Sequence, residues 1–201
     1  MNDVNFYKGR DFTQLLSYQR TLVVYYGTFR FVKRFLEKGD RTRDQMIQAA
    51  RSGKQNIIEG AKASAGSKAD ELFLTNVALS SLAELKEDYS DYLHTRNLRI
   101  WDKDSAEAKY VRGLCRKNGG CYEVYRAFIE TRSDEVVANI LLTVINQAEV
   151  LLTRQIKALA EKFLREGGVR ENMMKMRKAA REPQKNIGEN TGKNNNGHKK
   201  E

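Results

Sequence analysis

Four cationic side chains lie along one predicted helix at spacings that place them on the same side. Arg43, Arg51, Lys54 and Lys62 fall within about 100° of arc when successive helical residues are set about 100° apart. Such a row can follow a phosphate backbone, and each neutralised phosphate adds to an affinity that falls with salt. The row predicts a nucleic-acid contact, and an ordinary solvated helix face is the alternative.

The C-terminal segment, residues 169–201, is a second cationic element. It holds nine Lys and Arg against four Glu, so half of the net charge of +10 lies in a sixth of the chain. A basic tail is typical of proteins that bind polyanions, most often nucleic acid. A solubilising tail without a partner is the alternative. The predicted nucleic-acid-binding residues of this tail are Arg170, Lys175, Arg177, Lys178 and Arg181.

The residues that enzymes and metal sites need are scarce in this sequence. It has two histidines, His94 and His198, and neither forms the Glu-x-x-His pairs of di-iron helical proteins. Two cysteines separated by five residues have no histidine at zinc-site spacing, and no glycine-rich phosphate loop or nucleophile elbow occurs. We therefore expect no enzymatic activity, no cofactor, no metal and no small-molecule substrate.

The N-terminus and the cysteines indicate the compartment. MNDVNFYKGRDF lacks the apolar run of a signal peptide, which favours a cytoplasmic protein in which Cys115 and Cys121 are reduced. A disulfide between them is the alternative. The longest nearly apolar run, Val136 to Ile145, is too short to span a bilayer, so we expect no membrane partner.

A single proline, Pro183, indicates the fold class, because proline is excluded from helix interiors at a cost of about 3 kcal/mol. The apolar periodicity predicts an all-α four-helix bundle over residues 1–168, with a short helical insertion at about 98–135. The tail, residues 169–201, should be weakly helical at first and disordered from about 183. Predicted helices cover Asp11–Lys38, Thr42–Ser64 with Thr42 as its cap, a span from a Ser67 cap to Asn97, Asp104–Lys117 followed by a break at 118–120, and Tyr122 to about residue 166 with a joint at Arg132-Ser133.

The first two predicted helices carry contrasting patterns. In the second, a narrow stripe of small and apolar residues predicts close helix packing in the core, with a subunit interface as the alternative; it consists of Met46, Ala49, Ala50, Gly53, Ile57, Gly60 and Ala61. In the first, aromatics interleave with cations. We assign those aromatics, including Tyr25, Tyr26 and Phe29, to the core rather than to base stacking. The cations Arg20, Arg30, Lys33, Arg34 and Lys38 should face outward.

Several signatures within residues 15–165 resemble a known family. They are Gln45-Met46, Ala49-Ala50-Arg51-Ser52, Asn56-Ile57-Ile58-Glu59-Gly60, Ser67-Lys68 and Ala78-Leu79-Ser80-Ser81-Leu82-Ala83-Glu84-Leu85. They resemble the bacterial four-helix-bundle proteins encoded in intervening sequences of 23S rRNA genes, together with the accessory variability determinant (Avd) proteins of diversity-generating retroelements. The basic extension looks like that of the subgroup with a C-terminal suffix. The insertion and the tail depart from the compact members.

This resemblance implies an up-and-down four-helix bundle that assembles into a basic ring, typically a homopentamer, without catalytic activity. It also implies, for the accessory branch, nucleic-acid binding and partnership with a reverse transcriptase. The function expected from the sequence is therefore that of a homo-oligomer that binds RNA or a ribonucleoprotein, in the manner of an accessory subunit. The alternative is a structural or adaptor protein whose partner is another protein.

Overall fold

A computed structural model describes residues 9–117 and 121–167, together with 171, 173, 174 and 176–178, except for the side chains of 115–117 and 166. All regular structure in these residues is helical, which confirms the all-α prediction. A short 3-10 helix covers Phe12–Gln14. The α-helices are α1 (Leu16–Phe35), α2 (Thr42–Ala63), α3 (Lys68–Thr95), α4 (Ala106–Lys117), α5 (Glu123–Thr131) and α6 (Asp134–Glu166).

The first predicted helix is shorter than its periodicity indicates. The Asp11 carboxylate accepts a hydrogen bond from the Thr13 N–H at 3.0 Å and caps the 3-10 helix, and Leu15 is then extended. Short acidic side chains that bond to the nearby backbone compete with helix formation. The continuous helix therefore begins at Leu16 rather than Asp11, and it ends at Phe35, before the extended Leu36.

Side-chain caps set two other helix starts. The predicted cap of α3 is present, because the Ser67 hydroxyl accepts from the Asp70 N–H at 3.1 Å. The predicted Thr42 cap of α2 is wrong. Asp40 takes that role and accepts from the Thr42 N–H at 2.9 Å. Its bonds to the backbone and side chain of Thr42 hold the pKa of the Asp40 carboxyl below its usual value.

The four long helices, α1, α2, α3 and α6, surround a common core, and each packs on two of the others. Contacts at two levels show that these neighbours run antiparallel. Gly53 and Gly60 of α2 approach Leu82 and Glu71 of α3, and Ser17 and Gly27 of α1 approach Gln155 and Leu141 of α6. The fully buried Tyr89 of α3 donates to Thr28 of α1 at 3.0 Å and so satisfies its hydroxyl. The largest fully buried side chains of the core include Phe31, Met46, Ile57, Leu82, Leu85, Leu93, Leu141, Ile145 and Leu152.

The small-residue stripe of α2 is buried within the chain. Its seven predicted residues are the seven buried residues of that helix. A Cβ atom added at Gly53 would lie 2.9 Å from Leu82 Cδ2, and one added at Gly60 would lie 3.3 Å from both the Glu71 carbonyl oxygen and Leu74 Cβ. Both neighbours belong to α3. The stripe therefore serves core packing, as predicted, and brings α2 close to α3.

The insertion is tied to the long helices at several points. The buried Asn139 of α6 accepts from the Trp101 N–H at 2.7 Å and donates to the Arg99 carbonyl at 2.8 Å. At the other end, Arg30 of α1 forms an ion pair with Glu130 of α5. Helices α4 and α5 thus lie within residues 98–135, as the sequence predicts, while the predicted break at 118–120 lies outside the described residues. Cys121 is a free, exposed thiol.

Helix α6 is more apolar over its length than the predicted run of 136–145 indicates. Asp134–Arg165 contains an 18-residue window with a mean hydropathy of 1.6, enough by length and composition to cross a membrane. However, 61% of that window is buried inside the protein, as in the core helix of a soluble protein.

We predict that Gly60→Leu destabilises the protein by about 1–3 kcal/mol, because the new side chain must displace the α3 backbone at Glu71. Gly113→Leu on α4 is the matched control, since a Cβ there meets nothing within 4 Å. Its stability should stay the same or rise slightly with helix propensity. Urea unfolding of both variants measures the difference, and equal midpoints would contradict the close α2–α3 packing.

Candidate nucleic-acid interface

The predicted basic row of α2 lies along the groove between α2 and α1. Arg43 donates from Nη1 to the Leu36 carbonyl at 2.7 Å, and thereby satisfies an end carbonyl of α1. Lys54 places its Nζ 4.4 Å from the centre of the Tyr25 ring, a cation–π contact. Arg51 and Lys62 are exposed. Two of the four cations therefore also hold α2 against α1, and two point into solvent.

The antiparallel register places the exposed cations beside aromatic residues of α1. Because Lys54 lies at the level of Tyr25, and each step along α2 corresponds to a step back along α1, Arg51 lies near the level of Phe29 and Lys62 near that of Tyr18. The exposed cations of α2 and the aromatic rings of α1 thus lie at matching levels on the outer side of these two adjacent helices. We call this side the α1/α2 face, comprising Tyr18, Leu22, Tyr25, Tyr26, Phe29 and Lys33 of α1 with Arg51, Lys54 and Lys62 of α2.

The sequence assignment to the core is wrong for Tyr26 and Phe29 of this face, whereas Tyr25 packs against the core. Tyr26 and Phe29 are 44% and 48% exposed, and Tyr25 is half-buried. The Tyr25 and Tyr26 rings lie 5.5 Å apart, and Tyr122, just before α5, meets Tyr26 edge-on at 5.4 Å. Burial raises the pKa of Tyr18, and the nearby Tyr26 hydroxyl raises it further. The outer side of α1 therefore presents a row of partly exposed rings.

The core side of α1 is instead formed by small and β-branched residues together with Phe31. Val23, Val24, Gly27, Thr28, Phe31 and Val32 are buried. A Cβ atom at Gly27 would lie within contact distance of Leu141, so α6 approaches α1 closely there. The helical period fits both sides of α1, since it repeats on any face. The small and β-branched residues around Gly27 are the sequence signal that distinguishes the core side of α1 from its outer side.

The cations of α1 also divide, contrary to the prediction that all face outward. Arg20 is only 7% exposed. Arg30 pairs with Glu130, and Arg34 donates to the carbonyls of Ile129 and Arg132 at the end of α5. Only Lys33 and Lys38, of the five predicted, are fully exposed. The side of α1 toward α5 and α6 therefore uses its arginines for internal contacts.

Charge is sorted between the long helices. Helix α1 has four cations and no carboxylate, and α2 has four cations and two carboxylates. Helix α3 has two lysines and six carboxylates, of which Glu84, Glu87 and Asp91 are exposed. Burial, together with the nearby Asp91 and Glu84, raises the pKa of Asp88. The α1/α2 face is thus strongly cationic, and the exposed side of α3 is anionic.

The predicted tail residues are only partly described. Arg177 and Lys178 are exposed in a helical segment, where Met173, Met174 and Met176 are also exposed. Arg170, Lys175 and Arg181 lie outside the described residues, as does the predicted disorder from 183. Of the five predicted tail cations, the structure thus describes only Arg177 and Lys178.

The chemistry of the α1/α2 face is that of binding by charge and stacking. Cations can neutralise phosphates, and exposed rings can stack on bases. In the part of the chain that the structure describes, no group of three or more His, Cys, Asp or Glu side chains could hold a metal ion.

Comparisons with known protein families, with curated proteins and with solved structures find no match to this chain.

We predict that Phe29→Gln changes the free energy of unfolding by no more than about 1 kcal/mol, because the side chain is already half in water. Phe31→Ala, two residues along the same helix, should cost about 3–5 kcal/mol, because Phe31 is fully buried against Tyr89 and Tyr92. Denaturant unfolding compares the two variants. Equal losses would show that the outer side of α1 is covered in solution.

Proposed function

We propose that this protein is a non-enzymatic, homo-oligomeric, up-and-down four-helix bundle that binds RNA through the α1/α2 face and the basic tail. The binding would depend mainly on charge, with little sequence preference, because phosphate contacts carry no sequence information. The resemblance to the intervening-sequence and accessory variability determinant proteins supports the oligomer, most often a pentamer, and a role as an accessory subunit of a ribonucleoprotein in the cytoplasm.

The observation that carries the proposal is the coincidence of exposed cations and exposed rings on one face. Arg51 and Lys62 lie at the levels of Phe29 and Tyr18, while α1 itself contributes no carboxylate. A basic groove lined by aromatic rings is the arrangement with which proteins bind single-stranded nucleic acid. A solvated charge row would not explain the exposed aromatic residues beside it.

A second candidate function, as a structural or adaptor protein, is favoured by the same rings. Tyrosine and phenylalanine flanked by cations are also typical of protein–protein contacts. A partner with an acidic surface like that of α3 would complement the charge of the α1/α2 face. An adaptor would bind its partner without requiring RNA.

RNA binding by the α1/α2 face is tested with the double variant Arg51→Gln, Lys62→Gln. We expect its affinity for a single-stranded RNA to fall at low salt, and the slope of log affinity against log salt to become shallower by about 1.4, about 0.7 for each lost phosphate contact. Fluorescence anisotropy with a labelled oligonucleotide, measured over a series of salt concentrations, gives both quantities.

The matched control removes two exposed cations elsewhere, with Lys109→Gln on α4 and Lys157→Gln on α6. Both double variants lower the net charge equally, so the control should retain nearly the wild-type slope. An equal loss in the two variants would show a diffuse charge effect. Wild-type protein that does not bind RNA at low salt would sink the proposal and favour the adaptor function.

Removal of residues 169–201 tests the tail separately. We expect the truncated protein to keep the oligomeric state of the full chain, because the four long helices and their core lie before residue 169. Its affinity for RNA should fall, with a shallower salt slope. Light scattering behind size exclusion, with and without RNA, measures both. An unchanged affinity would exclude a role of the tail, and a monomeric full-length protein would exclude the ring.

A further inference from the structure

A groove of about 740 Å³ runs along the outward side of α6, away from the α1/α2 face. Along α6 it extends from Asn139 to Arg154, about 22 Å at the rise of an α-helix. The start of α1, the middle of α3, residues 100–103 and α4 form its walls. This volume lies within the range of about 300–1,000 Å³ that small-molecule sites occupy.

The groove is strongly cationic. Among the described residues that line it are five cations, Arg20, Lys86, Lys103, Arg112 and Arg154, and no carboxylate. They come from α1, α3, the segment before α4, α4 and α6, so positive charge surrounds the groove rather than marking one end. Lys86 is paired at 3.0 Å with Glu149, which does not line the groove. Cations on several sides fit a ligand with more than one negative charge, such as a phosphate ester.

The floor and one wall are apolar and include a flat ring. Leu142 and Leu151 of α6 form part of the floor, and the half-buried Trp101 lies at the end nearest α4. The Trp101 backbone is fixed to Asn139, whose amide is also bonded to Arg99. The indole itself is half-buried and packs against the core, and it offers a stacking surface in the same groove as the cations.

From this arrangement we infer that the groove binds a nucleotide, with the base against Trp101 and the phosphate among Lys103, Arg112 and Arg154. A fatty acid would match the apolar floor but has a single charge at one end. The exposed Asn146 amide, also in the lining, can donate to and accept from a base edge. The nucleotide is either a free mononucleotide or part of an RNA strand. The inference does not depend on RNA binding by the α1/α2 face.

Trp101 provides a direct assay, because it is the only tryptophan in the chain. Its emission, excited selectively over the tyrosines, is followed in the full-length protein at low salt during titration with ADP, with adenosine, and with a single-stranded tetranucleotide. We expect saturable quenching by ADP, much weaker binding of adenosine, which lacks phosphate, and competition by inorganic phosphate.

The double variant Arg112→Gln, Arg154→Gln tests the site, since both side chains line the groove and neither is buried. Loss of about tenfold in affinity for each cation is expected, which corresponds to about 1.4 kcal/mol. Arg51→Gln, Lys62→Gln is the matched control on the α1/α2 face and should keep wild-type quenching. Its RNA affinity reports on the proposed function separately.

The two sources of the nucleotide give different results. Quenching by ADP that is lost in the Arg112→Gln, Arg154→Gln variant supports the site with a free nucleotide. Quenching by the tetranucleotide alone, lost in the same variant, supports the site with an RNA strand as the source. Trp101 emission that responds to neither ligand overturns the inference, and so does a response that the groove variant leaves unchanged.

Discussion

The close approach of α2 to α3 is the constraint on which the rest of the structure depends. Gly53 and Gly60 leave no space for a Cβ atom against Leu82 and the Glu71 backbone, so α2 can turn only its small-residue stripe toward α3. Glycine inside a helix costs about 0.5–1 kcal/mol relative to alanine, and tight packing offsets that cost. Once the stripe faces α3, the rotation of α2 about its own axis is fixed, and so is the direction in which each of its other sides faces.

The orientation of α2 determines where its charge lies. With the stripe against α3, the flank that carries Arg43 and Lys54 turns toward α1, where Arg43 reaches the end of α1 and Lys54 covers Tyr25. The carboxylates of α3 remain on the opposite flank of α2. The sorting of charge between the two sides of the molecule is thus a consequence of helix packing. It does not require separate positioning of each residue.

Most of the helices could be predicted from the sequence because they depend on local signals. The absence of proline before residue 183, the Ser67 cap and the seven-residue stripe of α2 each act within a few turns, and the structure contains the helices they indicate. The errors were also local. Asp40 rather than Thr42 caps α2, because Arg41 is already helical and Thr42 therefore lies inside the helix instead of at the extended position that a cap residue occupies.

The candidate sites were harder to predict because they depend on which neighbour each helix face meets. The helical period of α1 fits Tyr26 and Phe29 as well as Val24 and Phe31, and only contact with α6 at Gly27 selects the second pair for the core. The groove on α6 joins cations from five separate segments, from Arg20 to Arg154. No window of sequence contains that set. A basic row on one helix is visible from sequence, whereas a pocket exists only after the chain has folded, because Trp101, Lys103 and Arg112 share the groove with residues of α6 that lie far along the chain.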